Sequence, residues 1–229
     1  NVAPLKKSIR MSSSPPRTPL LQELYTDYLR GETTSTFLSR VKQHYQQAAV
    51  ERLAIMSNRY GRRAAIFTLV SMGDYAANPI VGAALADTDR HVREIARQGI
   101  AELWRQTGDS LQQKALQKII GLNRQTRYAQ AALDATDLLE VAPSLAEAWN
   151  QRSLAHHRLK LYTDAIRDGR RAIEYNLFHF ECLIRMGRCH ELLDDPISAL
   201  DYFRQALNVH PDLAGVRAKV HYLQRSLSD

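Results

Sequence analysis

The sequence predicts an all-α chain folded as a right-handed α-solenoid of stacked antiparallel helix pairs, and three observations carry that expectation. Residues 146–179 and 180–213 echo each other at an offset of 34 without a gap, so that Trp149 falls on Leu183, Ala165 on Ala199, Ile166 on Leu200, Ala172 on Ala206 and Ile173 on Leu207. A fixed period of this length marks small helical units that bury their apolar faces only by stacking. A fainter echo at an offset of 31 relates Arg62, Ala65, Leu69 and Met72 to Arg93, Ala96, Ile100 and Leu103. Ten glycines and eight prolines in 229 residues leave few signals for strands and tight hairpins.

The first element is a tail. Residues 1–20 hold Pro4, Pro15, Pro16 and Pro19 among Ser8, Ser12, Ser13 and Ser14, with Lys6, Lys7, Arg10 and Arg17 and no acid. So little apolar surface does not offset the entropy of ordering, which predicts a disordered segment. The same composition is that of an organelle transit peptide, so import is a second reading; an apolar core of the secretory kind is missing.

Residues 21–108 form the next block. Phe37, Leu38, Val41, Tyr45, Ala48, Ala49 and Leu53 keep a helical rhythm and predict the helix that caps it. Pro79 to Leu85 reads as an apolar helix closed by Asp87-Thr88-Asp89, after which Val92-Arg93 opens a helix that runs on through Ala96 and Ile100. An Asp-rich turn followed by this opening resembles the HEAT repeat, which implies stacked helix pairs here too. The join at Thr107-Gly108-Asp109 is short and polar, so helical repeats are expected to continue across it.

Residues 109–229 carry the strong period. Ala148, Trp149, Ala155 and Leu159 share one side of a helix, and Ala165, Ile166, Ala172 and Ile173 one side of the next. Small residues at Ala165, Gly169 and Ala172, and again at Gly187, Ala199 and Ala206, let neighbouring helices approach closely. Asp195-Pro196 reads as an N-cap followed by proline at the first helical position, where a missing N–H is harmless, and Pro211 ends its helix. Leu183, Gly187, Ala199, Phe203, Ala206 and Pro211 together resemble the tetratricopeptide repeat. Trp149, Ala165 and Ala172 match it as well, with Ser153 replacing its glycine and Leu177 its proline. One more step back sets Ala131, Ala135, Leu138 and Pro143 in a second helix. The resemblance thus implies three repeats, about 112–145, 146–179 and 180–213, the first degenerate, followed by a capping helix over 213–227 with Val216, Val220, Leu223 and Leu227 on one face. Trp149, Arg152, Ala165, Gly187, Ala199, Phe203, Ala206 and Pro211 are assigned structural roles. Arg152 stands where the family buries a leucine; an unpaired buried guanidinium is costly, so Arg152 is expected to snorkel or to pair with Asp168 on the partner helix.

Charge and motif content exclude several functions. The net charge is +7, but Lys6, Lys7, Arg10 and Arg17 supply four of it, and the remainder is almost balanced. A phosphate-tracking surface needs several clustered cations, which argues against general nucleic-acid binding. No apolar run approaches the ~20 residues of a membrane span. Cys182 and Cys189 lie seven apart on one helix, roughly 10 Å at the helical rise, too far to share a metal; they read as thiols of a reducing, intracellular compartment. A phosphate-binding glycine loop, a His-Glu-x-x-His helix and a nucleophile-elbow serine are all missing from the sequence. No catalytic residue, metal or cofactor is assigned.

Function is therefore expected in the groove lined by the first helix of each pair. From the resemblance, Glu147, Asn150, Gln151, Leu154, His157 and Arg158 face it in the middle repeat, and Glu181, Ile184, Arg185, Arg188, Glu191 and Leu192 in the last. The ligand contacts assigned are Asn150, Gln151, His157, Arg158, Arg185 and Arg188: Asn150 suits an extended peptide backbone, and Arg185 with Arg188 a carboxylate or phosphate. Co-chaperones of the family clamp the C-terminal carboxylate of heat-shock chaperones. Here only Arg185 occupies a clamp position, while Leu116, Ile120, Gln151 and Glu181 depart from it, so an acidic chaperone tail is not an expected partner. The reading is a non-catalytic scaffold or adaptor that holds a peptide segment or partner helix of unassigned identity. The alternatives are a HEAT-like enzyme of the bilin-lyase kind and a weak RNA- or DNA-binding repeat protein.

Overall fold

The computed structural model describes residues 19–228, so the tail expected at the N-terminus lies, but for its last two residues, outside the described residues. Among the described residues there are thirteen α-helices, two 3₁₀ turns and no strand. The chain is an all-α solenoid, and its stacking follows from small and apolar residues repeated on facing helices.

The N-terminal block contains α1 (Leu20–Leu29), α2 (Thr34–His44), α3 (Gln47–Met56), α4 (Arg59–Met72), α5 (Asn78–Ala83) and α6 (Arg90–Arg105). The single rhythm expected across Phe37–Leu53 is two helices, because Tyr45 adopts an extended backbone between them (φ −132°, ψ 132°). Its hydroxyl accepts the backbone N–H of Leu21 at 3.2 Å, tying the break to the start of α1. Tyr25, Tyr28, Phe37 and Phe67 then fill the centre as one aromatic cluster. The Asp-rich turn does two jobs. Asp89 caps α6 through the N–H groups of His91 and Val92, while Asp87 and Asp89 take Arg62 and Arg63 of α4 in two bidentate pairs at 2.6–2.8 Å.

The repeats comprise α7 (Ser110–Arg124), α8 (Tyr128–Val141), α9 (Ala146–Arg158), α10 (Tyr162–Tyr175), α11 (Phe180–Leu192) and α12 (Pro196–Val209), closed by α13 (Ala214–Ser226). The period is visible in the backbone itself. Thr126, Lys160 and Asp194 are non-glycine residues at φ 60°, 63° and 57°, and each is followed by an N–H returning to the carbonyl five residues before it: Arg127 to Leu122, Leu161 to His156 and Asp195 to His190. This closure satisfies the carbonyls left open at a helix end, and it recurs every 34 residues in all three pairs. Ala165, Ala172, Ala199 and Ala206 are fully buried, Phe203 nearly so, and a Cβ on Gly187 would fall 2.6 Å from the Phe203 ring. Pro211 sits in the turn before α13 and lends its carbonyl to Arg217.

The stack does not run straight on through the join at Thr107-Gly108-Asp109. In a simple solenoid each unit touches only its neighbours, whereas α5 and α6 reach the inter-repeat turns about 100 residues away. Asn78 donates to the side-chain oxygen of Asn176 at 3.1 Å, Trp104 donates to Asn78 at 2.9 Å, and Arg93 holds Asp212 through two bonds of 2.6 and 3.1 Å. Phe178, Val209 and Leu213 pack against the N-terminal core and Phe180 belongs to it. Helices thus continue across the join, and the first block in addition lies along the turn edge of the repeats.

Gly82 tests that contact, because a Cβ there would lie 2.2 Å from Cγ of Phe178, the base of a ring that is already packed. Gly82→Ala is expected to lower the unfolding free energy by about 1–3 kcal/mol in a urea titration, as overpacked cores do. Gly121→Ala in α7, with no neighbour within 4 Å of the added carbon, is expected to raise it by about 0.4–1 kcal/mol through the unfolded chain.

Candidate functional site

The six residues expected to contact a ligand separate into two groups. Asn150 and Gln151 are buried, and their amides are occupied within the protein. Asn150 donates to both oxygens of Glu147 at 3.1 Å, and its side-chain oxygen accepts from Arg185 at 2.8 Å and from the Cys182 thiol at 3.2 Å. Gln151 donates to Glu147 at 2.7 Å and accepts from Asn123 of α7 at 2.9 Å. Neither amide is free to meet a peptide backbone, so that expectation is corrected. The reason is Glu147, expected at the groove surface but 5% exposed and serving as the hub around which the amides organise.

Glu147 is balanced by His179, the residue before α11. The two side chains meet at 2.8 Å and His179 has no exposed surface. Trp104 of α6 covers the imidazole, the ring centroids 4.0 Å apart and the planes 24° from parallel. Burial works against a charged His179, but the Cys182 sulfur and the Glu147 carboxylate outweigh it and raise its pKa to about 10. Glu147 shows the converse: burial pushes its carboxyl up, while His179, Gln151 and Asn150 bring it below the ordinary value. The pair is thus a buried imidazolium–carboxylate bridge that ties the N-terminal block to two repeats.

His157, Arg158, Arg185 and Arg188 do come together. With Leu154, Ile184 and Glu181 they line a cavity of about 240 Å³ between α9 and α11. Arg185 is anchored at its base, Nη1 donating to the Asn150 carbonyl at 3.2 Å as well as to its side chain. Arg158 and Arg188 are exposed, and among the described residues neither has a carboxylate within 4 Å; Glu191 on α11 holds Lys219 at 2.8 Å. His157 is half-buried beside the Tyr162 ring, with Nε2 shielded from solvent and unpartnered. Burial and the charges of Arg185, Arg158 and Arg188 lower its pKa, leaving it neutral near pH 7.

A second cavity of about 300 Å³ continues the groove, sharing Leu154 and Glu181 and adding Ala101, Trp104 and Arg105 of α6 with Ile120 and Arg124 of α7. Arg124 could have been found from the sequence, since it stands 34 residues before Arg158. Trp104 and Arg105 could not, because only the fold-back brings α6 here. The structural residues lie behind this surface. Arg152 grips Asp168 through two bonds of 2.9 Å, reaches Thr136 at 3.0 Å and stacks over Trp149, whose indole N–H donates to the Pro143 carbonyl at 2.8 Å. Asp168, fully buried, also meets His156 at 2.9 Å. Cys182 and Cys189 are buried free thiols, burial raising Cys189 to about 11. No group of three His, Cys, Asp or Glu side chains among the described residues is placed to hold a metal, and no helix among them is long and apolar enough to cross a membrane.

No protein-family model matches the sequence, and no curated protein sequence does. Solved structures do. The first TPR domain of Spaghetti (RPAP3), bound to the HSP90 peptide SRMEEVD, superposes with a TM-score of 0.50 at 20% identity, over 53% of this chain and 97% of that one. The first TPR domain of human RPAP3, an NMR structure, gives 0.49 at 19% identity, over 53% and 95%. The TPR2AB domain of yeast Sti1 in its pHSP90 complex gives 0.46 at 14% identity, over 92% and 98%. At such identity the first likeness establishes the fold: the helix pairs are tetratricopeptide repeats in architecture.

The Glu147–His179 pair makes a pH prediction. His179 has a folded pKa of about 10, above the ~6.5 of a free histidine, so folding takes up a proton between those values. Its contribution is expected in full below about pH 6.5 and gone once the pH has risen past about 10. Urea unfolding at a series of pH values should show this decline in the wild type, and His179→Gln should abolish that part of the slope; identical slopes would refute the buried bridge.

Proposed function

We propose that the protein is a non-catalytic interaction scaffold that holds an extended segment of a partner protein in the groove between α6, α7, α9 and α11. The observation that carries this reading is the imbalance of the groove. Arg124, Arg158 and Arg188 point cationic groups at it with no carboxylate partner among the described residues, Glu181 is the one exposed acid of the two cavities, and Glu147 is neutralised beneath them by His179. Complementary charge of this kind fixes the register of a partner and speeds its encounter. Leu154 and Ile184, both half-buried, supply apolar surface between the charges. The best-fitting segment is extended, with acidic side chains spaced along apolar ones.

The groove is not built for a terminal carboxylate. The Spaghetti domain is bound to an HSP90 peptide, but the clamp that the resemblance implies is replaced here by Leu116, Ile120, Gln151 and Glu181. Leu116 is fully buried, Ile120 and Gln151 nearly so, and Glu181 brings a like charge.

Selection of a random decapeptide library on the full chain tests the reading, with the Arg158→Glu/Arg188→Glu double variant as counter-target. Enriched peptides are expected to carry acidic side chains and to bind the variant about tenfold or more weakly, consistent with loss of two charge-assisted contacts. Peptides that bind both proteins equally, or no enrichment, would overturn it. SRMEEVD with a free C-terminus is expected to show no micromolar affinity in a direct titration, and finding such affinity would remove the exclusion of chaperone tails.

A further inference from the structure

We propose that the cavity between α9 and α11 is a binding site for a dianionic phosphoryl group, presented as a phosphorylated side chain of the segment lying in the groove. The inference rests on the groove reading above and adds the chemistry of one subsite within it. Three guanidiniums and one imidazole, from two helices, converge on about 240 Å³, room for a phosphoryl group and the first atoms of the side chain that bears it. Arg185 is positioned in advance. Its Nη1 is committed to Asn150, whose amide is held in turn by Glu147, so its orientation does not depend on the ligand. Arg158 and Arg188 flank it without a carboxylate to satisfy them among the described residues.

His157 separates a phosphoryl group from a carboxylate. Its imidazole lines the cavity beside the three guanidiniums, so it senses the charge of whatever occupies the space. A carboxylate brings only one negative charge to the three guanidiniums. A phosphoryl group offers three oxygens and close to two charges near neutral pH, enough to engage all three arginines and to favour the protonated form of His157. The groups facing His157 are Arg158 on its own helix, Arg185 and Arg188 on α11 and the Tyr162 ring on α10, with Glu181 at the rim. In the empty cavity the three cations and burial keep the imidazole neutral. A bound dianion reverses that local field, so occupancy raises the pH at which His157 titrates.

N-acetyl-phosphoserine amide, N-acetyl-glutamate amide and inorganic phosphate, each titrated into the full chain with the imidazole carbon-bound protons followed by NMR, provide the test. The phosphoserine derivative is expected to saturate, to bind about tenfold more tightly than the glutamate derivative, and to move the titration midpoint of His157 upward. Inorganic phosphate is expected to produce the same upward movement more weakly. Arg158→Gln and Arg188→Gln replace exposed side chains and should each weaken the phosphoserine derivative about fivefold or more with an unchanged far-ultraviolet spectrum. A phosphoserine derivative that binds no better than the glutamate one, or that leaves the His157 midpoint in place, overturns the proposal. Arginine-sensitive peptides from the library would then leave the groove reading standing, whereas the His157 signature without any selected peptide would overturn both the groove reading and the assignment of the phosphoryl group to a groove-bound segment.

Discussion

The structure depends on how one turn, residues 176–179, is held. Asn176 takes the amide of Asn78, Phe178 fills the space above Gly82, and His179 lies between the Trp104 ring and the Glu147 carboxylate. Through these contacts the N-terminal block is anchored to the middle of the repeat stack as well as to its first unit. Two consequences follow. The inner end of the groove is walled by α6, and the amides of Asn150 and Gln151 are drawn into a buried network around Glu147. What is left open is the basic half of the groove.

A buried ion pair is weak evidence of net stability, because removing two charges from water offsets most of their attraction. The Glu147–His179 pair is better understood as a device of position. An apolar pair in its place would tolerate a shift of Trp104 along the turn, whereas a carboxylate that also receives two amides has one low-energy arrangement. That arrangement reaches the ligand cavity as well. Asn150 gives its N–H groups to Glu147 and its oxygen to Arg185, so the guanidinium at the base of the cavity is fixed by the same network that fixes α6.

Local patterns in the sequence made much of this legible. The 34-residue offset locates the helix pairs and the close contact of Gly187 with Phe203, because repeated small residues are what stacking requires. The pairing of Arg152 with Asp168 follows from helical phase and the cost of a bare buried cation. The burial of Asn150 and Gln151 did not follow, since polar residues on the first helix of a pair read as surface until something covers them. Tyr45 was equally silent: its helical rhythm is intact, and the break is marked by its extended backbone and by the Leu21 N–H that donates to its hydroxyl.

The fold-back nevertheless left a trace in the departures from the period. At the end of the second pair the repeat reads Asn176, Leu177, Phe178, His179, where the third reads His210, Pro211, Asp212, Leu213. Leu177 is exposed and constrains nothing, so loss of the proline there is tolerated. Asn176, Phe178 and His179 are the residues that meet the N-terminal block, and Asp212 does so through Arg93. Stacking alone would favour the same turn at each step, since each must close the same geometry. A bulky or ionisable residue that breaks the echo in such a turn therefore has another surface to satisfy, and in this chain that surface is α5 and α6. Ser153 obeys the same logic on a smaller scale: in the place of a glycine it stays buried because its hydroxyl donates to the carbonyl of Ala165 on the facing helix at 2.8 Å.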